Sequence, residues 1–574
     1  MNSIYLVLIS LLFFFIGYKY YSAYVSKYLF SLEDDIITPA HEFEDEVDYV
    51  PTKKHILFGH HYTSIAGAAP IIGPCIAAYW GWLPALAWVV LGTVFIGAVH
   101  DFGALVISLK EKGKSVGDIA GKLINKRVRI MFLIFVLLLT WLVLAVFAMA
   151  ISGLFVSVPT AVIPVNVEII IAILIGYIIY QKKIDALIPS IVALIILYIF
   201  IYVGTFYPVL LPFSDQNNAW IILLFIYSSI SSLMPVWLLL QPRDFINSHQ
   251  LIVGLALLFL GIFIAAPVVD APIIRVSNES GAPPIFPMLF VTIACGAISG
   301  FHGLVSSGTT SKQVNKLKDA RMIGYGGMIG EGVLALASTI AAVAGIALVS
   351  ECHIPSVGIV ENLNWSIYYD TWANATKNKA TAFVLGGGAL IEQLGLPHNI
   401  AKTLMAVLVI SFAATTLDTA TRIQRFIISE LGYATKIEIL KNRYLATLIA
   451  VIPAIVLALW SINDPITGEF KKVGWLLWPI FGASNQMLAA LIMLILTIYF
   501  YKKGKNILIL FIPMIFVMSI ALISLIFKTQ DFYYQNNIFL LIINSLLLAL
   551  IIWMITEGFI VIRKIRKSLT KKRI

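Results

Sequence analysis

An all-α polytopic membrane protein is the fold class this sequence predicts, and three observations predict it. Of 574 residues 60% are hydrophobic, roughly 344 side chains, and only 12% are charged, against about 25% in an ordinary soluble domain. A helix needs about 20 apolar residues to cross a bilayer, so the chain holds material for about 15 transmembrane helices. The basic residues behind the net charge of +10 lie between the apolar runs, where they report orientation rather than a nucleic-acid surface. Composition excludes a water-soluble globular enzyme, and the partners expected are a small-molecule substrate and the lipid bilayer, with no nucleic acid.

Taken in order, hydropathy places spans near 3–24, 60–80, 83–109, 129–156, 162–180, 184–208, 218–240, 249–268, 285–304, 325–350, 399–419, 441–461, 474–500, 506–527 and 536–563. The first has no basic stretch before it and no small-residue cleavage site after it, so it reads as a retained helix rather than a signal peptide. With the N-terminus outside, alternate connections fall in the cytoplasm. They carry Lys53-Lys54, Lys110 to Arg129, Lys182-Lys183, Arg243, Lys312 to Arg321, Arg422 to Arg443, Lys502 to Lys505 and the tail Arg563 to Arg573. About 33 of the 40 Lys and Arg then lie inside and about 7 outside, the positive-inside bias. The count of spans is odd and the C-terminus is cytoplasmic. Lys114 belongs inside, and Asn278 and Lys377 outside.

The organisation expected is an N-terminal transmembrane helix (1–24), a cytoplasmic loop (25–59), a first five-helix repeat (60–208), a second inverted repeat (218–420) with an extracellular loop at 351–380, accessory helices (441–563) and a basic cytoplasmic tail (564–574). Residues 380–394, with three consecutive glycines, either span or form a re-entrant helix. The acidic cluster Glu33, Asp34, Asp35, Glu42, Glu44, Asp45, Glu46 and Asp48 reads as a solvated loop face. Cys75, Cys295 and Cys352 are too few and too scattered for a disulfide framework or a thiolate metal site.

Broken helices and ionisable groups at membrane depth are costly and mark function. The second span reads GHHYTSIAGAAPIIGP; two prolines with three glycines predict an unwound segment at Gly67 to Pro74, unless they make ordinary kinks. Freed backbone groups there can meet an anion or a cation. The expected substrate-binding residues are therefore His60, His61, Gly67, Ala68, Ala69, Pro70 and Gly73, joined by Ser231 and Ser232 of the serine-rich seventh span YSSISSLMPVWLLLQPRDF. That span lies five after the second and runs the other way, the pointer to an inverted repeat.

The ninth span, CGAISGFHGLVSSGTTSKQ, gathers hydroxyls and one imidazole. The expected ion-coupling residues are Ala66, Ser299, His302, Ser306 and Ser307, with Glu331 of the tenth span, which could also snorkel at the interface. Hydroxyls and carbonyls suit sodium and an imidazole suits a proton; both stay open. Asp101, and Asp418 with Arg422 one helical turn later, are assigned structural or gating roles, the latter two as an ion pair. No GxxxxGK[ST] motif points to nucleotide hydrolysis, and His60-His61 lack the i, i+4 spacing of HExxH. No catalytic residue, metal or cofactor is expected, other than a proton or sodium as coupling ion.

The stretches FGHHYTSIAGAAPIIGP, HDF, FPMLFVTIACGAISGFHGLVSSGTTSKQ, DARMIGYGGMIGEG, LDTATRIQRFIISEL and WPIFGASNQMLAAL resemble, in this order, the carbon starvation protein A (CstA) family, from about Val50 to Leu496. The resemblance implies an inner-membrane secondary transporter of the amino acid-polyamine-organocation superfamily, with a LeuT-like five-plus-five inverted-repeat core. It implies uptake of pyruvate or short peptides with a proton under carbon starvation; sodium-coupled uptake and a non-transporting metabolite sensor are the alternatives. The family's histidine motif falls on His60 and His61, its helix-breaking stretch on Gly67 to Pro74, and its SGFH and SSGTT motifs on Ser299 to His302 and Ser306 to Thr310. The chain departs from the pattern at His100, where a glutamine is expected before Asp101, and in being shorter. Oligomeric state is left open.

Overall fold

Long apolar runs with few charges can satisfy their backbone in a bilayer only as helices, and helices dominate the computed structural model, which describes residues 1–32, 36–275, 282–354, 358–377, 380–463 and 470–571. The main helices are α1 (Ser3–Phe30), α2 (Lys54–Ile65), α3 (Ala69–Ala77), α4 (Trp82–Lys110), α5 (Val116–Leu123), α6 (Lys126–Ser157), α7 (Val162–Lys182), α8 (Leu187–Phe206), α9 (Gln216–Leu233) and α10 (Leu240–Ala265). They continue as α11 (Ile285–Thr292), α12 (Ala294–Ala297), α13 (Gly300–Gly308), α14 (Leu317–Val343), α15 (Thr381–Glu392), α16 (His398–Thr435), α17 (Arg443–Leu459), α18 (Trp478–Lys502), α19 (Leu508–Tyr534) and α20 (Ile538–Lys571).

Among the described residues eleven helices are long and apolar enough to cross a membrane, and the bent pair α2–α3 brings the number to twelve. Of the fifteen spans expected, the other three correspond to α9, to the broken series α11–α13, and to α17, which is 17 residues long. α15 has 12 residues, about 18 Å at 1.5 Å per residue, too short for a hydrocarbon core of about 30 Å. Its length does not suit a full span at 380–394. Gly386 allows the close fit: a Cβ there would lie 2.2 Å from the Ala341 carbonyl oxygen.

The core is assembled by long-range pairings. α6 lies along α16, α10 against α2, α14 against α3, α13 against α4, and α18 against α13. α7 and α8 form a hairpin that packs on α10 and α16.

Segment 38–53 crosses the helix ends with Glu42, Glu44, Asp45 and Glu46 exposed, the solvated acidic face expected, and it is also tied to the helices. Asp48 pairs with Arg422 at 2.8 Å and Glu42 with Lys112 at 2.5 Å, and the Val236 N–H donates to the Val47 carbonyl. Asp45 does cap its own exposed turn, accepting from the N–H groups of Val47, Asp48 and Tyr49. Glu33, Asp34, Asp35 and Asn278 lie outside the described residues.

The loop after α14 is similarly engaged. Tyr369 donates to the Cys75 carbonyl at 2.7 Å and Trp365 Nε1 to that of Ala78 at 3.0 Å, which seats the loop on the far end of α3.

Candidate functional site: two broken helices and two buried ion clusters

The second span does break, but over Ala66, Gly67 and Ala68, and the helix resumes at Ala69 with Pro70 in its first turn. The predicted unwound stretch to Pro74 is shorter for a physical reason. In a continuous helix the Pro70 ring would collide with the carbonyl four residues earlier, at Ala66, whereas in a first turn a proline lacks only a donor that would have no partner anyway. α2 and α3 meet at 46°. Gly67 is the point of closest approach: a Cβ would lie 2.5 Å from Thr416 Oγ1 of α16 and 3.1 Å from Phe147 of α6.

A second interruption falls inside the ninth span. Ile298 (φ −161°, ψ 132°) and Ser299 (φ −136°, ψ 129°) are extended, between α12 and α13. No proline marks it. Gly300 lets α18 come within 2.5 Å of where a Cβ would stand, and Asn485 of α18 caps the new helix start, its Oδ1 accepting from the Phe301 N–H at 2.9 Å while its Nδ2 donates to Ser299 Oγ at 3.0 Å. The first of these contacts satisfies an N-terminal donor that would otherwise be orphaned.

Between α2, α4, α13 and α14 lies the first cluster. His302 Nδ1 is 2.9 Å from Asp101 Oδ2 and His302 Nε2 is 3.3 Å from Glu331 Oε2; His100 Nδ1 is 2.7 Å from Asp101 Oδ1. All four residues are buried, so Glu331 does not snorkel. His61 Nδ1 meets Thr310 Oγ1 at 2.9 Å, and its ring lies against Gly327 of α14, one turn from Glu331. The structure thus brings together Asp101, His302, Glu331 and, at the edge, His61. Ser299 turns to Asn485, Ser307 donates to the Gly303 carbonyl, and the buried Ser306 Oγ has no hydrogen-bond partner among the described residues.

The second cluster sits between α2, α9, α10 and α16. His60 Nδ1 is 2.5 Å from Asp244 Oδ2, Arg243 pairs with Asp244 at 3.0 Å and with Asp418, and Tyr227 donates to Asp418 at 2.8 Å. Nearby, Ser411 donates to the buried Glu168 at 2.7 Å and Asn247 to Thr415 at 3.0 Å. His60 and His61 therefore serve different clusters, since consecutive helical side chains point about 100° apart.

Two expectations are corrected here. Asp418 and Arg422 are not each other's ion-pair partners: Asp418 takes Arg243, and Arg422 takes Asp48 and the carbonyls of Ser231 and Met234. A buried charge is held by whichever opposite charge the packing delivers with good geometry, and here that comes from other segments. Arg243, expected as a cytoplasmic loop cation, is 2% exposed within α10.

Of the remaining candidates, Ser232 donates to the Ser229 carbonyl, while the Ser231 hydroxyl is buried without a partner among the described residues. Ala68, Ala69 and Gly73 line the turn into α3, and Gly73 packs on the Thr292 carbonyl of α11. Sequence reading missed Arg243, Asp244, Tyr227, Glu168 and Asn485 as site residues; the Arg-Asp pair after Gln241-Pro242 was the available signal. Among the described residues no group of three or more His, Cys, Asp or Glu is arranged to hold a metal ion.

The model of the family described as carbon starvation protein CstA matches residues 2–524. The chain is 33% identical to a Helicobacter pylori protein named peptide transporter CstA, over 92% of this chain and 82% of that one. It is 31% identical to the Escherichia coli pyruvate/proton symporter BtsT, over 88% and 78%. Among solved structures, an Eremococcus coleocola manganese transporter in complex with a bis-isothiourea compound aligns over 91% of this chain and 99% of its own, at 13% identity and a TM-score of 0.49, a likeness too loose to decide the fold.

Proposed function

The chain belongs to the carbon starvation protein CstA family, and from that premise we propose that it is a secondary transporter of the inner membrane, importing a small carbon source, pyruvate or a short peptide, together with a proton during carbon starvation. The observation that carries the reading is the buried Asp101–His302–Glu331 cluster beside two broken helices. Two carboxyl groups sharing one imidazole out of water form a proton-binding unit, and helices interrupted at membrane depth supply oriented backbone groups for a substrate. The peptide-transport and pyruvate/proton-symport names of the relatives support the substrate class.

In this reading the substrate's carboxylate meets the N-terminal end of α3 at Ala68 to Pro70, where helix donors and the positive end of the dipole favour an anion. His60, His61, Ser231 and Ser232 border the path. The proton resides on His302 or Glu331, on α13 and α14, which pack on α4 and α3, so protonation and substrate occupancy bear on the same interfaces. The N-terminus lies outside and the basic tail inside, as the charge bias favours.

In place of the expected repeats at 60–208 and 218–420, we draw the two halves of the core as α2–α3, α4, α6, α9 and α10, against α11–α13, α14, α16, α17 and α18. Each half has a broken helix, a partner, a short helix (α5 or α15) and then a long helix. Reciprocal packing supports this division: α3 on α14 matches α13 on α4, and α2 on α10 matches α11 and α12 on α18. A LeuT-like inverted repeat is consistent with that reciprocity, with the hairpin α7–α8 as an insertion.

The test is uptake of labelled pyruvate and dipeptides into proteoliposomes at fixed membrane potential, with pH and sodium varied separately. Proton coupling requires a pH response in the parent, and loss of concentrative uptake with retained exchange in His302→Ala. The unpartnered Ser306 hydroxyl favours sodium as the second reading; sodium-driven uptake in the parent whose sodium dependence shifts in Ser306→Ala would establish it and displace the proton.

A further inference from the structure

At the end of the fold where segment 38–53 crosses the helices, a cavity of about 160 Å³ opens between the exit of α13, the turn before α5 and the last turns of α16. One water needs roughly 15 Å³ by the same measure, so the space admits a small organic ion. Ser307 and Gly308 of α13 form one wall, about one and a half turns along from His302. The cavity therefore adjoins the helix that carries the proposed coupling group.

The charges around it are unequally satisfied. Lys112 pairs with Glu42, Asp118 with Arg129, and Glu430 accepts from Ser115 at 2.6 Å. Lys312 alone of the lining ions has neither a carboxylate within 4.0 Å nor a hydrogen-bonded side-chain partner among the described residues except for the exposed Lys114 at the rim. Its ammonium stands 3.9 Å from the Phe426 ring centre and 5.3 Å from that of Tyr49. Aromatic faces hold a cation in place but supply no acceptor. Burial, with Arg425 and Arg422 nearby, draws its pKa below the ordinary lysine value against the opposing pull of Asp48 and Glu430, and the half-buried ammonium faces the cavity with no carboxylate in contact among the described residues.

We propose that this cavity is the cytoplasmic mouth of the transport path and that Lys312 binds the carboxylate of the substrate there. The inference rests on the transporter reading for its place in the path, and on the cavity itself for its ligand chemistry. Pyruvate and a dipeptide share the carboxylate; the methyl ester of pyruvate lacks the charge. A charge-assisted hydrogen bond of this kind changes affinity by roughly ten- to a hundredfold.

The experiment reads binding apart from transport. A cysteine at rim position 114 (Lys114→Cys), with Cys352→Ser in the background and Cys75 and Cys295 buried, is modified by a maleimide in inside-out vesicles. Expected is protection by pyruvate, by dialanine or by both, which identifies the substrate class, and none by methyl pyruvate. Lys312→Gln and Lys312→Met should raise the half-protecting concentration roughly ten- to a hundredfold, while Lys312→Arg stays within a few-fold of the parent. Monodisperse elution and a parent-like melting temperature in detergent show that each variant is folded. Protection that the neutral ester also gives, or that both charge-removing variants leave unchanged, overturns the site even if the parent transports. Protection lost with Lys312 in a parent that transports nothing upholds the site and removes the transporter reading.

Discussion

Under the proposed proton coupling, replacing Glu331 by glutamine separates the coupling proton from the fold. Glu331 is fully buried on α14, 3.3 Å from His302, and His302 is 2.9 Å from Asp101. With all three ionised the group carries a net charge of about −1 in a medium where an unbalanced charge is disfavoured by several kcal/mol; one further proton brings it to zero. Glutamine has the shape of the protonated acid but cannot release a proton. For one proton per substrate at zero membrane potential, each unit of pH difference is worth about 1.4 kcal/mol and sustains roughly a tenfold substrate gradient. Parent proteoliposomes with one unit of inward-driving pH difference should approach that ratio. Glu331→Gln should equilibrate substrate and go no further, while exchange of internal for external substrate persists. Because the amide relieves a buried charge, thermal stability in detergent should equal or exceed the parent's. Accumulation by Glu331→Gln to the parent's ratio would refute the assignment, and a joint loss of exchange and stability would make Glu331 a structural residue.

Three further outcomes follow from the packing. Gly67→Ala forces a Cβ to within 2.5 Å of Thr416 Oγ1 and should lower stability by about 1–3 kcal/mol; adding Thr416→Ala should restore part of it in a double-mutant melting cycle, and strict additivity would rule out the contact. Asp418→Ala strips Arg243 of one of its two carboxylates and Tyr227 of its acceptor, so a loss of about 3–5 kcal/mol is expected, against a smaller one for Asp418→Asn; a parent-like melting temperature for the alanine variant would contradict the buried pair. Asp48→Ala leaves Arg422 with two carbonyl partners and should loosen segment 38–53 by about 1.5–3 kcal/mol, read as faster maleimide labelling of Ser231→Cys from the face that this segment covers; unchanged labelling would mean that this ion pair does not close that end.

Membrane residence and the first broken helix were legible in the sequence because their causes are local. Apolar run length decides whether a helix suits a bilayer, and Pro70 forbids a continuous helix through Ala66 whatever surrounds it. The candidate groups His61, Asp101, His302 and Glu331 were legible for a related reason: ionisable residues within apolar runs stand out against the cost of burying them. Only the tertiary structure decided how these groups combine. The interruption at Ile298 and Ser299 exists because Asn485 and the close approach of α18 at Gly300 compensate it, and no residue near it in the chain announces a break. The same holds for charge pairing. Arg422 is one turn from Asp418 yet binds Asp48, while Asp418 binds Arg243 from α10. His60 and His61, adjacent in sequence, go to separate clusters. Helix formation depends on a few neighbouring residues, but in a dry interior the energy of a charge depends on which opposite charge and which donors reach it, and long-range helix packing alone determines that.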